Sequence, residues 1–520
     1  MPYPAAGLDP DGRFFPAGPW FHFMRDGRHY FSYPPYFPAL AGLLYGGLGY
    51  PGLLVIPLAA GVATLLITAW FLGLVAPRLA AVGVVAVGLG TPLLVYSVVF
   101  WDHSLVAALG SGALAATALA LRDDARSAGR PLAFAGALLG AGLWFRNEMY
   151  VLLVAIGAGW LLWGGAARVR GAAVLGTAAG LVALPALVLN VYLFGGPLGW
   201  KGRDLTTGRL QGMAEAAGGV QTIGWLADKL GNAYYQLVSP DFYAYNPRAV
   251  AVGLAIATAL LAGVVLLNLG RRRRSARWLV AGGATVAALV ILTVSGRPAV
   301  SGLLISAPVV LLSLLGGQRA RWERYLWTVV VVFAGAVVVT GTHGGLQWGP
   351  RYLLPIVPAL VWLAAAATER TRQAVPGLWP PLGVAVCLVL GASVLVQVAG
   401  VEHVDASLSR NVRVNAALRA APAEIVVTGL EWLVLGAGPV YFEKRLLFVQ
   451  HPELFRLLVR RFVDRRVEQW TYVPWSGSAY GAGTVQAWTA TAAWRFSVID
   501  DREVNGIRLV TYHGTSGAPQ

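Results

Sequence analysis

The sequence predicts an α-helical polytopic membrane protein of about twelve spans with a small C-terminal α/β domain. Of the 520 residues, 57% are hydrophobic and only 12% are charged, with a mean hydropathy of +0.62. One soluble core cannot bury so many apolar side chains, so most must face lipid. Apolar segments of about 20 residues, the length that crosses a bilayer, also recur along the chain.

The first 400 residues contain these segments, and arginines separate them. We expect spans at 51–76, 79–100, 104–121, 131–145, 148–164, 171–194, 249–269, 278–295, 299–316, 325–341, 353–367 and 379–400. Arginines cluster in the short loops at 122–130, 168–170, 271–277, 319–324 and 370–372. The positive-inside rule makes these loops cytoplasmic, and it explains the net charge of +16 without a nucleic-acid partner. Residues 1–50, the loop 195–248 and residues 401–520 then lie on the non-cytoplasmic face.

Two segments outside the spans have helix or strand patterns of their own. In the outer loop, "VQTIGWLADKLGNAYYQLV" has the apolar spacing of an amphipathic helix at the membrane interface or capping the bundle. In residues 401–520, "AEIVVTG" and "RLVTYHG" predict strands and "HPELFRLLVRRFVDRRVEQW" an amphipathic helix. We therefore divide the chain into a first outer loop with a re-entrant segment (1–50), a bundle (51–400) and a soluble α/β domain (401–520).

Ionisable residues gather at the non-cytoplasmic tips of the predicted spans. Asp102 and His103 interrupt "YSVVFWDHSLVAAL", and no other charged residue or histidine occurs between Leu79 and Leu121. The other tips are "FRNEMY", "GGLQWGPRYLLP" and "LDPDGRFF". One such tip is as well explained by a structural turn, whereas four on one face indicate a functional site.

These motifs, in this order, resemble the GT-C superfamily of membrane glycosyltransferases, in particular bacterial mannosyl- and aminoarabinosyltransferases. "LDPDGRFF…MRDGRHYFSYPPYFPAL" is similar to the first outer loop of the family, "YSVVFWDHSLVAAL" to its second acidic tip and "WFRNEMYVLL" to its R-x-E hairpin. "NVYLFGGPLG", "LVSPDFYAYNP" and "WGPRYLLPIVP" resemble later landmarks of bacterial members. The resemblance covers most of residues 9–367 and implies an enzyme that takes a sugar from a polyprenyl-phosphate carrier.

The resemblance implies a carboxylate base in the first loop and a cation that holds the donor phosphate. We expect Asp11 to be the base rather than Asp9, because its spacing to the aromatic pair fits better. Arg351 is the expected phosphate ligand, since guanidinium stays charged and offers paired donors, although an arginine at a span end also serves as an interfacial anchor. Arg146 is a second candidate, with Glu148 as its ion-pair partner.

The remaining candidates position substrate or bind a metal. Asp102 and His103 suit a divalent cation such as Mg²⁺ or Mn²⁺, or they orient donor or acceptor by hydrogen bonds alone. Tyr33 and Tyr36, with neighbouring aromatic residues, line a sugar or polyprenyl groove or form an interfacial belt.

The family pattern places one further span before the first acidic loop, and we expect that the natural chain begins upstream with it. We expect an inner-membrane enzyme with a periplasmic or extracellular active face and a lipid, glycan or protein acceptor. A secondary transporter or a flippase of cell-envelope precursors is the alternative, but transporters bind substrate at the bilayer midplane between repeated halves, a pattern that this sequence lacks. A non-catalytic scaffold is the other alternative.

Overall fold

The computed structural model describes residues 3–16, 22–25, 28–31, 33–122, 128–199, 220–239, 247–295, 302–340, 348–449, 451–474, 482–489 and 493–516. The chain forms two compact units. The bundle is Pro34–His403, and the domain combines Met1–Tyr33 with Val404–Gln520. The first outer loop of the sequence analysis is thus divided between them after Tyr33.

The bundle is helical. Its α-helices are α1 (Tyr36–Leu48), α2 (Gly52–Val75), α3 (Ala80–Leu89), α4 (Leu93–Ser97), α5 (His103–Arg122), α6 (Gly129–Gly142), α7 (Glu148–Trp163), α8 (Arg168–Phe194), α9 (Val220–Leu237), α10 (Pro247–Arg272), α11 (Ala276–Val294), α12 (Leu303–Ser306), α13 (Arg321–Thr340), α14 (Val357–Ala374) and α15 (Trp379–Ala420), the last of which continues into the domain. Its 3₁₀ helices are Pro77–Leu79, Gly165–Ala167, Pro308–Leu314, Arg351–Ile356 and Pro376–Leu378.

Eight helices of the described residues are long and apolar enough to cross a membrane. They coincide with eight of the predicted spans, so the polytopic helical fold is confirmed, while the count of twelve stays a prediction. Predicted span 79–100 breaks into α3 and α4 at Gly90–Thr91–Pro92, because Pro92 cannot continue the hydrogen-bond ladder of α3. Predicted span 299–316 contains α12 and the buried 3₁₀ helix Pro308–Leu314.

Close helix packing in the bundle depends on small residues. Gly136 and Gly140 of α6 lie against the backbone of α8, where an added Cβ would meet the carbonyl oxygens of Leu175 and Ala179. This is the small-xxx-small pattern that brings membrane helices together. The helix predicted in the outer loop is confirmed as α9, and the Asn232 amide donates to the Val338 carbonyl of α13 at 2.7 Å.

The domain contains a hairpin and a mixed sheet. Its strands are β1 (His22–Arg25), β2 (Arg28–Phe31), β3 (Ile425–Thr428), β4 (Arg445–Phe448), β5 (Gln469–Val473), β6 (Trp494–Val504) and β7 (Ile507–Ser516), and its helices are α16 (Glu431–Gly436), the 3₁₀ helix Gly438–Val440, α17 (Pro452–Asp464) and α18 (Ala482–Thr489). Strands β1 and β2 pair antiparallel. The other five strands have the order β4-β3-β5-β7-β6, with β3 parallel to β4 and β5, and β7 antiparallel to β5 and β6.

Both faces of this sheet are covered, which explains why all four residues of β3 are buried. One face packs on α17 through Phe455, Leu458 and Phe462, together with Phe14 and Phe15 of the N-terminal segment. The other face packs on Val414 and Leu418 of α15 and on Leu433 of α16. The predicted C-terminal α/β domain is confirmed, and its core recruits the N-terminal segment because Leu8, Phe14 and Phe15 are apolar.

Candidate functional site

The candidate residues of the sequence analysis fall into two groups, one in each unit. Asp102, His103, Arg146, Glu148, Arg351 and Tyr36 belong to the bundle, and Asp9, Asp11 and Tyr33 belong to the domain.

Arg146 is the centre of the bundle group. Arg146 lies in the turn between α6 and α7, and α7 begins two residues later at Glu148. The Arg146 side chain pairs with the Glu148 carboxylate, with Nη2 at 2.5 Å from Oε1. Its Nη1 donates to Asp102 Oδ1 at 2.9 Å and lies 3.2 Å from His103 Nε2. The side chains of Arg146, Asp102 and Glu148 are 9%, 14% and 16% exposed. The two hairpin tips therefore meet in one buried, charge-paired cluster.

Arg351 adjoins this cluster and has a different environment. It begins the 3₁₀ helix that leads into α14, and only 9% of the residue is exposed. Its Nη2 donates to Tyr352 Oη at 2.8 Å, and its guanidinium lies 5.2 Å from the ring centre of Trp101 and 4.7 Å from that of Tyr352. Among the described residues, Arg351 Nε has no hydrogen-bond partner and the guanidinium forms no ion pair. Arg351 is thus a buried cation with no described carboxylate within ion-pair distance.

Tyr352 links the two arginines. Its ring lies 5.7 Å from the Arg146 guanidinium and 4.7 Å from that of Arg351. Asp102 and Glu148 form their ion pairs with Arg146, and the Arg351 charge makes the four-residue cluster neutral overall. Arg351 itself forms no ion pair among the described residues, so its guanidinium keeps donors that no carboxylate occupies. Arg351 Nε is therefore the buried donor of this group that remains for a ligand.

The predicted divalent cation does not fit this arrangement of Asp102 and His103. Arg146 Nη1 lies within hydrogen-bonding distance of both side chains, and a guanidinium would repel a cation bound between them. Across the described ranges, no place brings together three or more His, Cys, Asp or Glu side chains that could hold a metal. The cation stays a prediction.

Asp9 is a buried carboxylate of the domain. Gly12, at φ +65°, turns the chain so that the Phe14 amide and the Tyr3 hydroxyl both donate to Asp9 Oδ2 at 2.9 Å. Burial raises the pKa of Asp9 to about 6, although these two donors oppose the shift. Burial, with the neighbouring Asp9 charge, also raises the pKa of Tyr3, which keeps its hydroxyl a donor.

Asp11 is more exposed than Asp9 and is held more closely by Arg461, whose Nη1 also lies 3.4 Å from Asp9 Oδ1. Both Asp11 oxygens accept from Arg461 of α17 at 2.8 Å, and Arg13 Nε lies 2.8 Å from Oδ2. The Arg461 hydrogen bonds lower the pKa of Asp11 to about 2. Asp11 therefore stays ionised and is held by two guanidiniums.

The two candidate tyrosines, Tyr33 and Tyr36, belong to different units. Tyr36 begins α1, and its hydroxyl donates to Asn190 Oδ1 of α8 at 2.9 Å while its ring contacts Trp144 edge-on. Tyr33 is 38% exposed and belongs to the domain. The structure thus gives Tyr36 a packing role, and the groove stays a prediction.

Sequence reasoning did not single out several residues that shape these sites. Trp101 and Tyr352 flank Arg351, and the ring of Tyr96 of α4 packs on that of His103, with the ring centres 5.0 Å apart. Arg461 holds Asp11. The tryptophan and tyrosine adjacent to the charged motifs, in "FWDH" and "PRYL", were the available signal, whereas nothing local to Arg461 indicated its contact.

The fold and the site define an integral membrane protein with a buried, charged cluster at the start of His103–Arg122 and Arg351–Ala374, the two most buried of the eight long apolar segments in the described residues. The chain is similar to the crystal structure of ArnT from Cupriavidus metallidurans bound to undecaprenyl phosphate, with a TM-score of 0.51 and 13% identity over 97% of this chain and 92% of that one. The apo crystal structure of the same protein gives a TM-score of 0.49 and 13% identity over 98% and 93%. The first likeness confirms the predicted GT-C-like fold. No protein-family model and no curated protein matches the sequence significantly.

Proposed function

We propose that this protein is a membrane glycosyltransferase that moves a sugar from a polyprenyl-phosphate donor to a cell-envelope acceptor with inversion at the anomeric carbon of that sugar. The observation that carries the proposal is the buried Arg351 guanidinium, which pairs with no carboxylate among the described residues. A buried cation is expected to have an anionic partner. The likeness to a fold that binds undecaprenyl phosphate in ArnT supports a polyprenyl phosphate as that anion.

The reaction increases the charge on the donor phosphate. The acceptor hydroxyl oxygen attacks the anomeric carbon and gives its proton to a carboxylate base. The bond from that carbon to the phosphate oxygen breaks, and its electron pair stays on the oxygen, so the leaving polyprenyl phosphate gains one negative charge. Arg351 stabilises this charge, and its effect is larger in a water-poor site than in bulk water.

Arg146 supports this site without contacting the phosphate itself. By pairing with Asp102 and Glu148, it removes two competitors for Arg351 and fixes the two hairpin tips. It also contacts the Tyr352 ring on which Arg351 stacks. We therefore regard Arg146, Asp102, His103 and Glu148 as positioning residues.

Asp9 and Asp11 are the proposed bases. A general base works best with a pKa near the working pH. Asp9 has a pKa of about 6 and meets this condition, although it is fully buried and its Oδ1 lies 3.4 Å from Arg461 Nη1. Asp11, with a pKa of about 2 and two guanidinium partners at 2.8 Å, is a weaker proton acceptor. The proposal therefore moves the base role from Asp11 to Asp9, in contrast to the spacing argument.

The setting follows from the arginine loops. We place the enzyme in the inner membrane with its site on the periplasmic or extracellular face, and the acceptor is a lipid, glycan or protein of the envelope. A secondary transporter or flippase would carry a lipid-linked sugar across the membrane without breaking its bond to phosphate.

The test uses the full-length protein in detergent with undecaprenyl phosphate and with a panel of undecaprenyl-phosphate-linked hexoses and pentoses. Arg351→Gln should weaken undecaprenyl phosphate binding about 10- to 100-fold, because a hydrogen bond to a charged group contributes about 1.5–3 kcal/mol. Arg419→Gln, which alters an exposed ion pair of the domain, is the matched control. Release of undecaprenyl phosphate from one linked sugar, abolished in Asp9→Asn, would support transfer. Unchanged binding in the Arg351 variant, or translocation without bond cleavage, would overturn the proposal.

A further inference from the structure

The Tyr96 hydroxyl is, like Arg351 Nε, a buried polar group without a described partner, and it lies near Arg351. Tyr96 lies on α4, is 1% exposed, and its hydroxyl has no hydrogen-bond partner among the described residues. A buried tyrosine hydroxyl normally finds a partner, because leaving it unsatisfied is costly. Tyr325 of α13 shows the usual outcome in this bundle, since it is fully buried and its hydroxyl lies 2.7 Å from Thr117 Oγ1.

The position of Tyr96 indicates what kind of partner is missing. Its ring contacts those of His103 and Trp101, and the Arg351 guanidinium stacks on the same Trp101. Arg351 and Arg146 both lie near enough to act electrostatically on the Tyr96 hydroxyl. Two buried donors without described acceptors, Tyr96 Oη and Arg351 Nε, therefore lie around one tryptophan. An acceptor shared by both, and negatively charged, would satisfy them together.

The break between α3 and α4 produces this arrangement. An unbroken helix over 79–100 would continue the direction of α3, whereas Gly90–Thr91–Pro92 interrupts it and α4 has only five residues. All residues of α4 except Leu94 are buried, so the short helix is packed firmly against its surroundings. Tyr96 is thus held rigidly, which lowers the entropic cost of binding a ligand to its hydroxyl.

We propose that the Tyr96 hydroxyl donates a hydrogen bond to a phosphate oxygen of the polyprenyl phosphate, beside Arg351. The inference rests on the proposed function and adds a phosphate-binding residue to it. The hydroxyl carries no charge, so it directs one phosphate oxygen without adding to the positive charge of the site. Asp102 and Glu148 do not compete for this donor, because Arg146 holds both.

The test compares Tyr96→Phe with Tyr325→Phe, since each variant removes one hydroxyl from a fully buried ring. Undecaprenyl phosphate binding to the full-length protein should weaken by roughly tenfold or more in Tyr96→Phe and stay unchanged in Tyr325→Phe. Undecaprenol, which lacks the phosphate, should bind the wild type and Tyr96→Phe equally. The thermal stability of ligand-free Tyr96→Phe should equal or exceed that of the wild type, because an unsatisfied hydroxyl is lost. In Tyr325→Phe it should fall, because Thr117 loses its partner.

The outcomes separate this inference from the proposed function. If the wild type does not bind undecaprenyl phosphate, the proposed function fails. This inference alone fails if the wild type binds undecaprenyl phosphate and Arg351→Gln weakens that binding, but Tyr96→Phe leaves it unchanged. An equal loss of affinity for undecaprenol would also overturn it, since the ring and not the hydroxyl–phosphate contact would then be responsible.

Discussion

Replacing Arg146 with Met tests whether one guanidinium holds the two hairpin tips together. Arg146 pairs with Asp102 and Glu148, and all three side chains are less than one-fifth exposed. Its removal leaves two unpaired carboxylates close together, and breaking a buried ion pair from one side costs about 3–5 kcal/mol. We therefore expect Arg146→Met to lower the free energy of unfolding by about that amount. Removing all three charges, in Asp102→Asn/Arg146→Met/Glu148→Gln, should recover most of the loss, because no unpaired carboxylate remains in the cluster.

The measurement is equilibrium unfolding in mixed detergent micelles, monitored by tryptophan fluorescence. Arg419→Met is the control, because its ion pair with Glu443 is nearly half exposed, and we expect no resolvable change. A loss below about 1 kcal/mol in Arg146→Met would show that the cluster is solvated and not buried. A triple variant as unstable as the single one would show that the arginine stabilises by packing and not by charge.

Three further predictions concern packing and pH. Gly140→Ala should destabilise the bundle by about 1–3 kcal/mol in the same assay, because its Cβ meets the backbone of α8, whereas Gly157→Ala, with open space around it, should have little effect. Asp9 has a higher pKa in the folded chain than in the unfolded one, so the folded state binds more protons between pH 4 and 6 and stability falls as the pH rises through that window. In Asp9→Asn the thermal midpoint should fall less from pH 4 to 6 than in the wild type, and an equal fall would contradict this pKa. Phe455→Ala should cost the domain about 3–5 kcal/mol in chemical unfolding, while Phe442→Ala, at an exposed site, should be near neutral, and equal effects would refute the described core.

Much of the architecture could be predicted from hydropathy, arginine placement and strand patterns. These signals are local: a run of apolar residues predicts a helix wherever the run is long enough, and α2, α8 and α10 follow it. The interruptions of predicted spans 79–100 and 299–316 were missed because a buried segment is apolar whether it is helical or not. Pro92 and Pro308 were the signals, since proline removes a backbone donor.

The site was predictable only in part, for a similar reason. Asp102, His103 and Arg146 were recognisable because ionisable groups are rare among apolar residues. Their mutual contacts, and the lack of an ion pair for Arg351 among the described residues, depend on distances between residues far apart in sequence. The contact of Asp11 with Arg461 joins positions 450 residues apart, and no pattern within either segment indicates it.

The two segments that begin at the candidate site are also the most buried of the eight candidate spans in the described residues. In His103–Arg122 and Arg351–Ala374, 89% and 94% of the most apolar window is buried inside the protein, compared with 22% for the span that contains α8. Changes in bilayer thickness act on helices through their lipid-facing surface, by tilting or distorting them. The outer helices should absorb such changes, and the distance from Arg351 to the Asp102–Arg146 pair should remain constant between thin and thick membranes.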